Sequence, residues 1–184
     1  MFNATRAAAF VAVLTMTGTL ALVAGPFDRG DQADEPAAPA WTAEDVVPVV
    51  VHTAYRGVDE TGSIDVTPER VSERGVGMEY ELTSDDPRFD GVMYLTVNRD
   101  AILGATGASV LASSFDIEAS SGGWTGIGSA FGMVGTNDMY SQVVLSGVGA
   151  NEGLSAVFFG DNAENQMEFT YTGMVFPGSM PEYP

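Results

Sequence analysis

The sequence predicts an all-β fold: a single antiparallel β-barrel of about eight strands, preceded by an N-terminal hydrophobic export helix and a disordered linker. Three observations lead there. Apolar and polar residues alternate in short runs separated by turn signals. Glycine is abundant, at 22 of 184 residues, which favours turns, bulges and sharply bent strands. No convincing helical periodicity follows Trp41.

The N-terminus comes first. Arg6 precedes the uncharged run Ala7–Ala24, AAAFVAVLTMTGTLALVA. This run is long for a signal-peptide core and just short of a comfortable membrane span. Cleavage after Ala24 would place Leu22, a poor residue for such a site, two positions earlier. Two readings therefore stay open for residues 1–24, a removed signal peptide and a retained anchor. Both put the rest of the chain outside the cytoplasm, secreted or held at the membrane by the N-terminal helix. Residues 25–40, GPFDRGDQADEPAAPA, have no periodicity and the composition of a flexible linker.

Residues 41–184 have the length of one domain. Val46–Thr53 reads as a strand, with Pro48 at an edge or start. Val76, Met78, Tyr80 and Leu82 alternate with Gly77, Glu79 and Glu81. The turn Ser84–Arg88 follows, and Gly91–Asn98 returns with Val92, Tyr94 and Thr96 opposite Met93, Leu95 and Val97. Ser109–Glu118, Gly123–Val134, Ser141–Val148, Ser155–Gly160 and Gln166–Val175 complete the set. Asp65–Arg74 is the one place for a short helix, since Thr67-Pro68-Glu69-Arg70 offers an N-cap with proline at the first helical position.

Charge and cysteine content remove whole classes of function. The chain carries 25 acidic residues against 7 basic ones, for a formal net charge of −18. Such a field repels phosphate backbones and anionic lipid, so no nucleic-acid partner is expected, and no membrane contact except through an uncleaved N-terminus. It suits a cationic partner or a salty medium. With no cysteine, disulfides, thiolate metal sites and cysteine nucleophiles are excluded.

Asp85-Asp86-Pro87-Arg88-Phe89-Asp90-Gly91, Gly123-Trp124-Thr125-Gly126 and Leu145-Ser-Gly-Val-Gly-Ala-Asn-Glu-Gly-Leu154 together resemble secreted bacterial β-barrel proteins of unassigned function. In those proteins one strand carries G-x-W-x-G and a later hairpin carries G-x-G-x-Y-x-G-L. Here Asn151 stands where the aromatic is usual. The closing Gly173–Gly178 with its proline-rich tail also looks like theirs. More distantly the pattern is similar to the allene oxide cyclase and dirigent barrels, which are calycin-like. The resemblance covers roughly residues 72–184. It implies a barrel fold and carries over no catalytic residue.

The residues capable of chemistry are few. His52, the only histidine, could serve as a general base, but it follows a valine run with no acidic neighbour, and the chain has no GxSxG elbow. A strand-end structural role is the simpler reading. Gly126–Gly132 and Gly147–Gly153 share the spacing GxGxxxG, but no βαβ pattern surrounds either copy and the chain has no lysine, so hairpin geometry accounts for them better than nucleotide binding. Glu79 with Glu81, and Asp116 with Glu118, are pairs two residues apart, about 7 Å along a strand. That spacing could suit a glycosidase pair, although alternating acids usually mark a solvent face. Asp59–Asp65 and Asp161–Asn165 hold oxygen ligands but lack the EF-hand order, so solvated turns are expected and no metal or cofactor.

Trp124, Tyr80, Tyr94, Phe115, Phe131 and Tyr171 are the large aromatics expected to cluster. They fill a small barrel core or, in the alternative, line a pocket for a small apolar ligand, with Tyr80, Tyr94, Phe115, Trp124 and Tyr171 as its walls. The function expected is non-enzymatic: binding a small apolar ligand, or serving as a structural or interaction module, self-association included. The opposing class is a barrel enzyme, either a cyclase or isomerase or a carboxylate-based hydrolase.

Overall fold

The structure, a computed structural model, describes residues 42–104, 107–133, 139–162 and 168–180. The expected export helix and linker lie outside these residues. Nine strands follow in order: β1 (Val47–Glu60), β2 (Ser63–Val66), β3 (Arg70–Ser84), β4 (Gly91–Ile102), β5 (Ala108–Ala119), β6 (Gly122–Met133), β7 (Met139–Val148), β8 (Leu154–Asn162) and β9 (Glu168–Pro177). From β3 to β9 each strand pairs antiparallel with the next. β1 closes the ring by pairing on one side with β9, from Val47↔Val175 to Ala54↔Glu168, and on the other with β3, from Val51↔Ser84 to Glu60↔Gly77. The result is a closed eight-stranded barrel, with β2 as a ninth segment at the rim.

Each of the eight strands expected from the sequence is present over its described residues, with Val134, Gln166 and Met167 lying outside them. The alternation decides which side of each strand faces in. Val49, Val51 and Thr53 on β1 are buried while Pro48, His52 and Ala54 are exposed. Tyr80 and Leu82 on β3, Met93 and Val97 on β4, Phe115 and Ile117 on β5 and Val143 and Leu145 on β7 are likewise buried. A two-residue period with one greasy side is what a sheet wrapped around its own core requires.

The expected helix at Asp65–Arg74 is corrected. Ser63–Val66 is strand β2, and it pairs with Val71–Arg74 in β3. Thr67-Pro68-Glu69-Arg70 forms the connecting hairpin turn: Thr67 N–H donates to Arg70 O at 2.8 Å, and Arg70 N–H donates to Thr67 Oγ1 at 3.0 Å. A threonine followed by proline serves a tight turn as readily as a helix start. Here the flanking residues gain ladder partners, which one isolated helical turn would not supply. β2 is in effect the continuation of β1 beyond a bend at Gly62. A Cβ on Gly62 would lie 2.3 Å from Arg74 O, and its φ of 55° is one that glycine alone adopts freely.

Candidate functional site

One end of the barrel is closed by residues the sequence separates widely. The 3-10 turn Pro87–Phe89 folds under the barrel, started by Asp86, whose carboxylate accepts from Arg88 N–H at 3.0 Å and from Arg88 Nε at 2.9 Å. These hydrogen bonds from Arg88 hold the Asp86 carboxyl below the usual carboxylate range, against the opposing effect of burial. The stability this pair contributes is therefore present at neutral pH and is lost as pH falls through the lowered value. The turn aims Phe89 into the barrel, where it stacks on Trp124 with ring centres 4.7 Å apart and meets Phe158 edge-on at 5.1 Å. Trp124 is fully buried, and its Nε1–H donates to Arg88 O at 2.9 Å. The Asp85–Gly91 stretch and the Gly123–Trp124 stretch thus meet as a single floor. Asn151, buried in the hairpin after β7, completes it by donating from Nδ2 to Gly123 O at 3.4 Å.

The middle of the barrel is filled. A void of about 20 Å³ lies among Leu82, Met93, Phe115, Leu145, Phe158 and Tyr171. A second, of about 40 Å³, lies higher up among Leu95, Leu111, Ser113, Ala130, Met139 and Phe169. A ligand pocket is of order 300 Å³ or more, so neither space holds more than a water-sized occupant. Glycines help the filling: a Cβ on Gly128 would lie 2.7 Å from the Phe115 ring, and one on Gly160 would lie 2.6 Å from the Tyr171 ring. The bare backbone at both positions is what lets each aromatic ring approach the wall so closely. Burial, reinforced by the neighbouring Tyr171 and Tyr55, pushes the Tyr80 phenol up to about 12, and burial also raises Tyr171. Both phenols are neutral at pH 7 and can donate or accept a hydrogen bond.

The aromatic residues expected to line a pocket divide between two sides of the wall. Tyr80, Phe115, Trp124 and Tyr171 face the interior and are buried. Tyr94 does not join them. It alternates with the inward-facing Met93 and Leu95, opposite Glu79 and Asp116. There Glu118, followed by partial burial, raises its phenol above the usual value. Phe131 is also on the outer wall. Phe89 and Phe158 take the interior places; Phe89 was legible only as an aromatic residue within a turn motif.

The paired acids also face outward. Arg56 reaches Glu79 and Glu81 at 3.2 Å each, and Asp116 and Glu118 are exposed on β5. Glu73 shares the inner face at the rim, where it is held by Arg99, Nη2 donating to Oε1 at 3.0 Å. His52 is exposed, its Nδ1 3.1 Å from Thr170 Oγ1, in an open outer groove of about 290 Å³ that also involves Ala54, Glu81, Thr83 and Glu168. Among the described residues no carboxylate is hydrogen-bonded to its ring, as the orienting member of a nucleophile–base–acid relay would be. Asp59–Asp65 runs from the end of β1 through the Gly62 bend into β2, and no group of three His, Asp or Glu among the described residues is placed to hold a metal ion. Residues 163–165 of the second acidic stretch lie outside the described residues.

What remains is the outer wall itself, which is strongly two-sided. The strands β1, β3 and β4 carry Arg56, Arg70 and Arg74 on this wall, together with Asp59, Glu60, Glu79, Glu81 and Asp100. No basic residue follows Arg99 anywhere in the sequence. Across β6 to β9 the exposed large side chains are instead Ile127, Phe131, Met133, Tyr140, Val148, Phe159 and Met174, interspersed with serine, threonine and glutamine, with Glu168 exposed at the start of β9. This surface of a highly acidic protein is apolar and almost without charge. No family model, no curated protein and no solved structure matches this chain.

Proposed function

We propose that the barrel is a non-enzymatic structural or interaction module that works through its outer wall. The observation that carries this reading is the filled interior among the described residues: the floor is closed by Phe89 on Trp124, and the two voids described above it are about 20 and 40 Å³. The enzyme alternatives have less support, because Glu79, Glu81, Asp116 and Glu118 point away from the interior and Glu73 is neutralised by Arg99. An extracytoplasmic setting, expected from Ala7–Ala24, belongs to the same proposal, as does kinship with the allene oxide cyclase and dirigent barrels.

A second reading, the small apolar ligand, draws support from one place. Ile64 and Val66 on β2 pair with Glu73 and Val71 and so extend the inner face above the mouth, where both are exposed. Native mass spectrometry and thermal melting with decanoate and with naphthalene separate the two. The module reading predicts no 1:1 complex and no change in Tm. A ligand at a hundredfold excess over its Kd would add about 2.7 kcal/mol and raise Tm by roughly 5–11 °C. That result, abolished by Leu111→Trp at the mouth, would transfer the function to the interior.

A further inference from the structure

The register of the strands arranges the outer wall in rows. Ala112, Ser129, Gln142, Phe159, Thr172 and Val50 are successive partners across β5, β6, β7, β8, β9 and β1. The next row is Ser114, Ile127, Val144, Val157, Met174 and Pro48. Neither row holds a charged residue, in a chain whose net charge is −18. A third row begins Val110, Phe131, Tyr140 and reaches an acid only at Asp161. The apolar members are well exposed, Ile127 at 70%, Tyr140 at 61% and Phe159 at 56%.

We infer that this uncharged wall seats a second copy of the chain, face to face. The inference rests on the reading of the barrel as an interaction module and names its partner. Charge selects the occupant. A wall with no cation offers nothing to anionic lipid, nucleic acid or an acidic protein. A basic partner would be drawn instead to the acids of β1, β3 and β4. For two copies of so acidic a chain, contact centred on β6, β7 and β8 keeps the acids of β3 and β4 on the far sides of both barrels, beyond the ~8 Å screening length of physiological salt, and leaves Asp116 and Glu118 on β5 and Glu168 on β9 at its margins. A two-fold pairing sets each uncharged row against its equivalent, with Ser129, Gln142 and Thr172 able to hydrogen-bond across the axis.

The area suits a weak dimer. The wall curves around the closed barrel, so about three of its strands can meet a second copy at once. Three strand spacings of about 4.8 Å and three to four rows about 7 Å apart give roughly 300–400 Å² per copy. The total of about 600–800 Å² lies in the range of weak, transient contacts. The dimer is therefore expected to form with a Kd of about 100 μM.

Sedimentation velocity of the full chain from 1 to 100 μM, at 0.05 and 1 M NaCl, tests this. The expected result is a rise from one chain mass of 19.3 kDa toward two, stronger at high salt because like-charge repulsion is screened. Ile127→Glu with Phe159→Glu should weaken association at least tenfold, while Val58→Glu, an exposed position on β1, should leave it unchanged. Should the double variant fail to fold by circular dichroism, Ser129→Glu with Gln142→Glu places charge in the same rows at polar positions. A chain that stays monomeric at 100 μM in both salts overturns the inference. So does association that persists in the wall variants, which would point to another segment such as the apolar N-terminus. Binding of the monomer to phosphatidylcholine vesicles that the wall variants lose would make the occupant a membrane and overturn it as well. None of these outcomes produces a 1:1 apolar complex, the result that would overturn the module reading itself.

Discussion

Trp124→Ala should lower the stability of the barrel by about 3–5 kcal/mol, the usual cost of emptying a large aromatic site in a packed core. Trp124 is fully buried and lies flat on Phe89, with ring planes 10° apart. Its loss would leave Phe89 without its stacking partner and the Arg88 carbonyl without its donor. The floor turn would then come loose from the strands it seals, although the Asp86–Arg88 contacts would keep it locally folded. Trp124→Phe separates the contributions: it keeps an aromatic ring against Phe89 but removes the Nε1–H, and should cost about 1–3 kcal/mol through the unpaired carbonyl. Urea denaturation followed by far-UV circular dichroism reads both. A loss under 1 kcal/mol for Trp124→Ala would mean that the floor does not close the barrel.

Gly126→Ala should cost about 2 kcal/mol or more, although it adds a single methyl group. Gly126 is paired with Phe115 on one side and Leu145 on the other, and an added Cβ would lie 2.0 Å from Val144 O and 2.9 Å from Leu145 Cα. Both obstacles are backbone, so β6 and β7 would have to separate, and overpacking of this kind strains the ladder as well as the core. Gly57→Ala is the matched control: nothing lies within 4 Å of its added Cβ, and its effect should stay within about 0.5 kcal/mol. Equal melting temperatures for the two variants would show that the G-x-W-x-G stretch does not approach its neighbour as closely as described.

Strand positions were legible in the sequence because alternation is a local property. The run Met93, Leu95, Val97 against Val92, Tyr94, Thr96 states its two faces without reference to any partner. Which face turns inward is not local. It follows from parity with the neighbouring strand, and Tyr94, facing Glu79 and Asp116, was drawn to the outside despite its size. The segment Thr67–Arg70 was misread because its residue types fit two conformations equally, and only the ladder between β2 and β3 distinguishes them. The floor escaped notice for a related reason. Phe89 and Trp124 are 35 positions apart and meet only once the barrel has closed. The uncharged wall had a signal in plain view: after Ala119 no strand residue before Asp161 is charged, while the alternation continues unbroken. The closing contact of β1 with β3 had none, since β2 and a turn intervene.

The most direct test is a two-dimensional NMR experiment that records cross-strand contacts of β1. A closed barrel predicts that this one strand shows Hα and amide contacts to both neighbours in the same molecule, Thr53 to Phe169 on β9 and Thr53 to Leu82 on β3. Contacts to β9 alone, with the β3-facing amides of β1 exchanging freely with solvent, would describe an open sheet. Such a sheet would expose the core residues Val51, Tyr80 and Leu82 and contradict the account of a sealed, filled barrel.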